Sequence, residues 1–373
     1  MSLLFLLFFI SLLPSTLPVP SIGVTYSAPR RSAPSAERIG GGLRRLKTES
    51  LRLEESDPSI TRSLLYTNTS LFLTIPNYMV TPIAQNRSTA VSWLYTNVVP
   101  FYPRVNITSI SVGNAFPDVY PRSIDDLLPA IANVHVSLRD LGIRKITVST
   151  SFSFVTAISS PFPPSSAQFQ EPPGATLFGP LLQFLHDTNS SFFINLYPYN
   201  LYRLRPEIPL GIALFQDHPF NFRDDFTTGV RYRNLFDVMV DAVVSALAVA
   251  GYETVPVVVT ETGWPGPGWP SGSGAAGELD ANLGYAEIYM RGLVKHLKSG
   301  MGTPLLREGV REVFVYEMFD RDEGSGSGSG RSWGLLFSNG TSKYHLDFSS
   351  SSSSLSPLNL PLLFAFSLFL LLL

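Results

Sequence analysis

The chain has 373 residues, with 27 Lys and Arg against 29 Asp and Glu, and no cysteine. Without cysteine there is no disulfide framework, thiolate nucleophile, zinc–cysteine site or iron–sulfur cluster, and a near-neutral balance without basic runs argues against nucleic acid as a partner. The length permits two or three average domains or one large barrel, with a core that needs no covalent or metal staple.

Charged residues make up 15% of the chain, against ~25% in typical soluble domains. The two ends account for part of the deficit. Residues 1–21 carry no charged side chain; the apolar run Leu3–Leu13 is followed by Pro14, Ser15 and Thr16. This reads as a secretory signal peptide, because Pro14, Pro18 and Pro20 would break a buried first helix.

From about Ile22 to Phe348 the pattern alternates. β-rich runs are Ile22–Tyr26, Ser50–Glu54, Leu71–Ile75, Thr108–Gly113, Lys145–Ser149, Phe192–Leu196, Pro256–Thr260 and Glu312–Tyr316. The clearest helical periodicities between them are Ile124–Leu141, Leu235–Ala250 and Ala281–Lys298. Strands alternating with helices imply a parallel sheet, and eight such units predict a single α/β domain, a (β/α)₈ TIM barrel. An open doubly wound sheet is the alternative, but no phosphate-cradling glycine loop follows the first strand. Gly40–Gly42 is expected to interrupt the first helix. The Pro- and Ser-rich Ser159–Pro173 reads as a long loop, and Gly324–Gly330 as a flexible Gly-Ser run.

Residues 349–373 form the last segment: serines from Ser349 to Ser354, then a mostly apolar stretch from Leu358 to Leu373. It is shorter than the ~20 residues of a spanning helix and lacks a basic flank. A GPI-attachment signal, removed on transfer to the anchor, fits it better. Sequons at Asn68, Asn86, Asn106, Asn189 and Asn339 agree with a secreted glycoprotein tethered to the outer face of the plasma membrane.

Barrel enzymes work where the strands end. The seventh strand ends V-V-V-T-E-T-G-W-P, which places Glu261 at the mouth with Trp264 close by and Trp269 beyond. A carboxylate after a valine run is costly to leave unpaired, so it is either a nucleophile or acid/base, or a structural partner of an arginine. The flat indoles suit the apolar C–H faces of sugar rings. The fourth strand supplies Asn114 and Ala115, and the sixth Asn195, Tyr197 and Tyr199. The second supplies Arg52, Glu54 and Asp57, and the eighth Glu317 and Asp320. Carboxylates, amides and aromatics without clustered histidine favour a sugar ligand over a metal. No metal or cofactor is expected.

These residues resemble glycoside hydrolase family 17, the plant endo-β-1,3-glucanases. The likeness runs through I-G-V-T-Y, S-V-G-N-A, N-L-Y-P-Y, N-L-F-D-V-M-V-D-A, V-T-E-T-G-W-P, G-T-P and R-S-W-G-L-L-F, in that order. It implies a (β/α)₈ barrel over residues 22–348 and a retaining mechanism on β-1,3-glucan. By motif, Glu261 takes the nucleophile's position. Asn114, Tyr26, Tyr197, Tyr199 and Trp264 take sugar-contacting ones. The acid/base belongs after Asn114, where this chain has Ala115; Asp118 and Glu317 are the candidate substitutes. The family's charged residues after the eighth strand fall on Arg321, Gly324 and Gly330, and its tyrosine after the second strand on Glu54. The resemblance therefore implies an endo-β-1,3-glucanase-like monomer of the cell surface with weak hydrolysis. The alternative is a catalytically impaired β-1,3-glucan-binding protein.

Overall fold

In the computed structural model, eight strands pair in parallel and close into a barrel. The structure describes residues 19–27, 35–172, 174, 176–267, 279–321 and 331–349. The signal-like and tail segments, Trp269 and Gly324–Gly330 lie outside the described residues. The strands are β1 (Ser21–Tyr26), β2 (Ser50–Leu53), β3 (Ser70–Ile75), β4 (Asn106–Asn114), β5 (Thr147–Ser153), β6 (Phe192–Asn195), β7 (Val257–Thr262) and β8 (Glu312–Val315). β8 pairs with β1 to complete the ring.

All eight predicted strands are present, and the differences lie at their ends. β5 runs on to Ser153 because the barrel interior is polar near the mouth. Ser149 and Ser151 are fully buried there, and Ser151 Oγ lies 3.1 Å from Ser111 Oγ. Hydroxyls on alternate residues hide the strand from an apolar pattern.

The interior is layered. At the base, Ser50 donates to Glu312 and Ser70 donates to Ser50. Above them Phe72, Phe193, Val258 and Phe314 form a buried cluster separate from the outer core. The Phe72 ring lies 4.9 Å from Phe193 and 5.3 Å from Phe314. Arg52 lies over this layer, its guanidinium carbon 5.7 Å from the Phe72 centroid. The barrel is thus filled, and only its upper end is available for chemistry.

The main outer helices are α1 (Ala36–Leu46), α2 (Arg87–Asn97), α3 (Leu127–Asp140), α4 (Phe178–Asp187), α5 (Leu235–Val249) and α6 (Leu283–Lys298). The glycine run does not interrupt α1. Ser35 caps its start, and Ile39, Leu43 and Leu46 bury one face, so packing outweighs weak propensity. A Cβ at Gly42 would come within 2.7 Å of Met318 Sδ, which explains a small residue at that contact.

The Pro- and Ser-rich segment is also more ordered than expected. Ile158–Ser159 pairs antiparallel with Gln168–Phe169, and Ser165 donates through N and Oγ to the buried Asp225 at 3.0 and 2.9 Å. All five sequon asparagines are exposed. Asn68, Asn106 and Asn189 stand at or just before the starts of β3, β4 and β6, on the rim opposite the mouth. Among the described residues no helix is long and apolar enough to cross a membrane.

Candidate active site

Glu261 is where the mouth residues converge. The register of β7 against β6 shifts between Val259 and Glu261, and such a bulge re-aims the side chain. The residue is buried, at 5% exposure. Its Oε1 accepts from Arg52 Nη1 at 2.7 Å and from Asn114 Nδ2 at 2.9 Å. Its Oε2 accepts from the Tyr197 hydroxyl at 2.7 Å. A buried carboxylate is tolerable only with such partners.

Each partner is itself fixed. Arg52 is fully buried on β2 and rests on the aromatic layer. Asn114 ends β4 between two residues in the left-handed region, Gly113 at φ 77° and Ala115 at φ 47°. Asn77 brackets it, accepting from Asn114 N at 2.8 Å and donating to Asn114 O at 2.9 Å. Thr260 donates to Asn195 Oδ1 at 2.7 Å, and Asn195 Nδ2 donates to Asn114 Oδ1 at 3.0 Å. This leaves the Asn114 amide nitrogen facing Glu261. The Tyr197 hydroxyl keeps its proton for donation: burial, then the negative charge of Glu261, push its pKa well above the usual tyrosine value.

Beside Glu261 stands an aromatic wall, of which the sequence pointed to Tyr197 but not to Tyr316 or Trp333. Tyr197 meets Trp333 edge-on at 5.2 Å and Tyr316 at 6.2 Å, and Tyr316 lies 6.1 Å from Trp333. All three are half-buried. Trp333 reaches the mouth because the chain beyond β8 folds back, bridging Phe319 to Leu336. Its signal was the tryptophan of R-S-W-G-L-L-F.

Ala115 sits at the end of β4, partly exposed, with its N–H donating to Ser151 O at 2.8 Å. Its side chain is a methyl group and carries no proton to transfer. The flanking carboxylates belong to a different cluster. Arg321 donates through Nε to Glu317 Oε2 and through Nη2 to Glu54 Oε2, both at 3.2 Å, and also to the Tyr316 hydroxyl. Burial raises the Glu317 carboxyl to about 7, with Arg321 opposing and Glu54 assisting. Burial and then the charge of Glu261 also raise Glu54.

Several predicted contacts require correction. Trp264, Tyr199 and Tyr26 are each 1% exposed, so none presents a ring face to the mouth. Trp264 packs edge-on against Tyr199 at 5.0 Å, and its Nε1 donates to Asp280 O at 2.9 Å; beyond the bulge its ring turns into the helix layer. Tyr26 packs against Phe319 at 6.5 Å. Asp57 caps the next helix by accepting from Ser59 N at 2.7 Å. Asp320 is paired with Lys343 at 2.6 Å. Asp118 borders a separate groove shared with Val155, Thr156 and Glu171. Among the described residues no group of three or more His, Cys, Asp and Glu side chains is placed to hold a metal.

A carboxylate held by three donors, beside half-buried aromatics and above a packed floor, can attack an electrophilic carbon of a bound sugar. The model of Glycosyl hydrolases family 17 matches residues 22–348. The chain is 34% identical to glucan endo-1,3-beta-glucosidase 12 of Arabidopsis thaliana, over 91% of this chain and 62% of that protein. It is 36% identical to glucan endo-1,3-beta-glucosidase 7 of the same plant, over 95% of this chain and 69% of that one. The chain thus spans roughly two thirds of these relatives' length. Among solved structures it is similar to CJP38, a β-1,3-glucanase and allergen of Cryptomeria japonica pollen. That match has a TM-score of 0.79 and 30% identity, and covers 88% of this chain and 99% of the other. A plant β-glucan endohydrolase matches with a TM-score of 0.76 at 29% identity, covering 87% and 99%. Fold, motif order and mouth geometry together with these likenesses place the chain in glycosyl hydrolases family 17.

Proposed function

We propose that this protein recognises β-1,3-glucan and hydrolyses it only weakly, because its site holds a nucleophile without the matching acid/base. The observation that carries this reading is the contrast between two strand ends. Glu261 on β7 is hydrogen-bonded at both oxygens, whereas the end of β4 offers the methyl group of Ala115. In a retaining mechanism one carboxylate attacks the anomeric carbon, and a second, ~5–5.5 Å away, protonates the leaving oxygen and later activates water. Loss of a general acid/base removes typically 10²–10⁴-fold in rate.

Support for β-1,3-glucan as the ligand comes from the named activity of the relatives and from the Tyr197–Tyr316–Trp333 wall. Glu317 and Glu54 are tied to Arg321, which argues against their serving as replacement acid. Asp118, turned to its own groove, is a poorer candidate still. We extend the proposal to location: secretion, N-glycosylation at the five exposed sequons, and a lipid-tethered position at the cell surface. The uncharged ends and the exposure of those asparagines support it.

The test is a laminarin hydrolysis assay run beside a laminari-oligosaccharide binding assay on one preparation. Binding with turnover at least about 100-fold below that of an active relative is expected. Turnover equal to that relative would overturn the missing-acid reading, and absence of binding would overturn the ligand assignment. Glu317→Gln and Glu54→Gln should leave residual hydrolysis unchanged.

A further inference from the structure

We infer that the natural chemistry of this site is transfer: it cleaves β-glycosides of acidic aglycones, phenols or carboxylic acids, and passes the glycosyl group to anionic acceptors rather than to water. This rests on the reading of Glu261 as nucleophile and names a substrate class for it.

The inference follows from what Ala115 can and cannot do. A sugar hydroxyl leaves as an alkoxide unless it is protonated, and residue 115 has no proton to give. A phenol ionises near pH 10, as tyrosine does, and a carboxylic acid near 4, so both depart as stable anions unaided. In the first step a Glu261 oxygen forms a bond to C1, the C1–O bond to the aglycone breaks, and its electron pair leaves on the phenolate or carboxylate. In the second step an acceptor carboxylate attacks C1 and Glu261 departs as the carboxylate it began as. Neither step moves a proton. Water in the second step would need a base, which residue 115 also fails to supply. Each step inverts at C1, so the product retains the β configuration.

The rim beyond Ala115 fits such an aglycone. Val119 and Tyr120 are 58% and 40% exposed. Tyr120 is stacked on the buried Phe116 with centroids 5.3 Å apart and an 18° interplanar angle. A planar apolar group gains contact there, and an aromatic ring offset-stacked on a fixed tyrosine is stabilised beyond its area burial.

The experiment uses the full chain with 2,4-dinitrophenyl β-laminaribioside as donor and sodium formate or azide as acceptor. Without added anion, release of about one dinitrophenolate per protein and then a slow phase are expected. Formate or azide should accelerate turnover about tenfold or more, azide yielding a β-glycosyl azide identified by NMR. Ala115→Glu should raise turnover in water and abolish the anion acceleration. Glu261→Gln should remove both phases. Tyr120→Ala should raise KM for the aryl donor several-fold without weakening laminari-oligosaccharide binding. Rapid steady turnover in water, indifferent to azide, would overturn the inference by showing a base elsewhere. No burst in a chain that still binds laminari-oligosaccharide would overturn it while leaving glucan recognition standing. Loss of both, in a chain with an intact melting transition, would overturn the underlying reading as well.

Discussion

Arg52 on β2 reaches across the barrel to place its Nη1 2.7 Å from Oε1 of Glu261 on β7. Both residues are buried, and Arg52 has no exposed surface at all. Removing one member of a buried pair leaves an uncompensated charge, a loss of about 3–5 kcal/mol. Arg52→Met should therefore lower the melting temperature strongly. Glu261→Gln in the same chain should recover part of the loss, since the orphaned charge is then gone. A double-mutant cycle by thermal denaturation measures this. Additive losses would show that the two side chains are not energetically coupled.

Ala115→Glu should increase laminarin hydrolysis, on the order of 10²-fold. The backbone at 115 already turns as required, anchored by Ser151 O and by Asn77 on the preceding residue. Partial exposure of the position leaves room for a longer side chain. Initial rates at matched protein concentration test it. No gain in a variant that still binds glucan would mean that the Arg321 cluster has also displaced the substrate.

Two tryptophans should separate binding from folding. Trp333→Ala removes a half-buried ring from the wall beside Glu261 and should weaken laminari-oligosaccharide binding with little change in melting temperature. Trp264→Ala empties a fully buried site packed against Tyr199 and Tyr289 and should destabilise by about 3–5 kcal/mol. Calorimetric titration and melting curves on both variants check this. The opposite assignment would restore Trp264 as the sugar platform.

His296 on α6 places Nε2 2.8 Å from Asp237 Oδ1 on α5. Burial works against the charged imidazole, but the hydrogen bond and charge of Asp237 outweigh it and hold the pKa above its usual value. A histidine raised in the folded state contributes fully below its unfolded pKa of ~6.5 and loses that contribution as pH rises through the folded value. His296→Gln should therefore lower the melting temperature more at about pH 5.5 than at about pH 9. An equal drop at both values would show that the pair contributes no net charge interaction.

Much of this molecule was legible in its sequence because burial on both faces makes parallel strands read as Val, Ile, Leu and Phe runs. The position of Glu261 followed from such a run. What escaped were features that depend on direction or on distant chain. Trp264 stands three residues after Glu261 but beyond the end of β7, and its ring packs against Tyr199 and Tyr289 while Glu261 faces the mouth. Trp333 enters only because the chain beyond β8 doubles back. Arg321 and Glu54 lie 267 residues apart, and no local pattern announces their pairing. The glycines of α1 misled because propensity was visible and the Met318 contact was not.

The left-handed turn at Ala115 has a consequence for the history of this chain. A non-glycine residue in that conformation is strained by an amount on the order of 1–3 kcal/mol, and neither alanine nor glutamate relieves it. The strain is held by Asn77 just after β3 and by Ser151 on β5, not by the side chain at 115 itself. Exchange of that side chain is therefore close to neutral for folding, and one nucleotide separates some alanine codons from glutamate. A change of side chain at 115 can alter the chemistry proposed for this site without rebuilding the barrel.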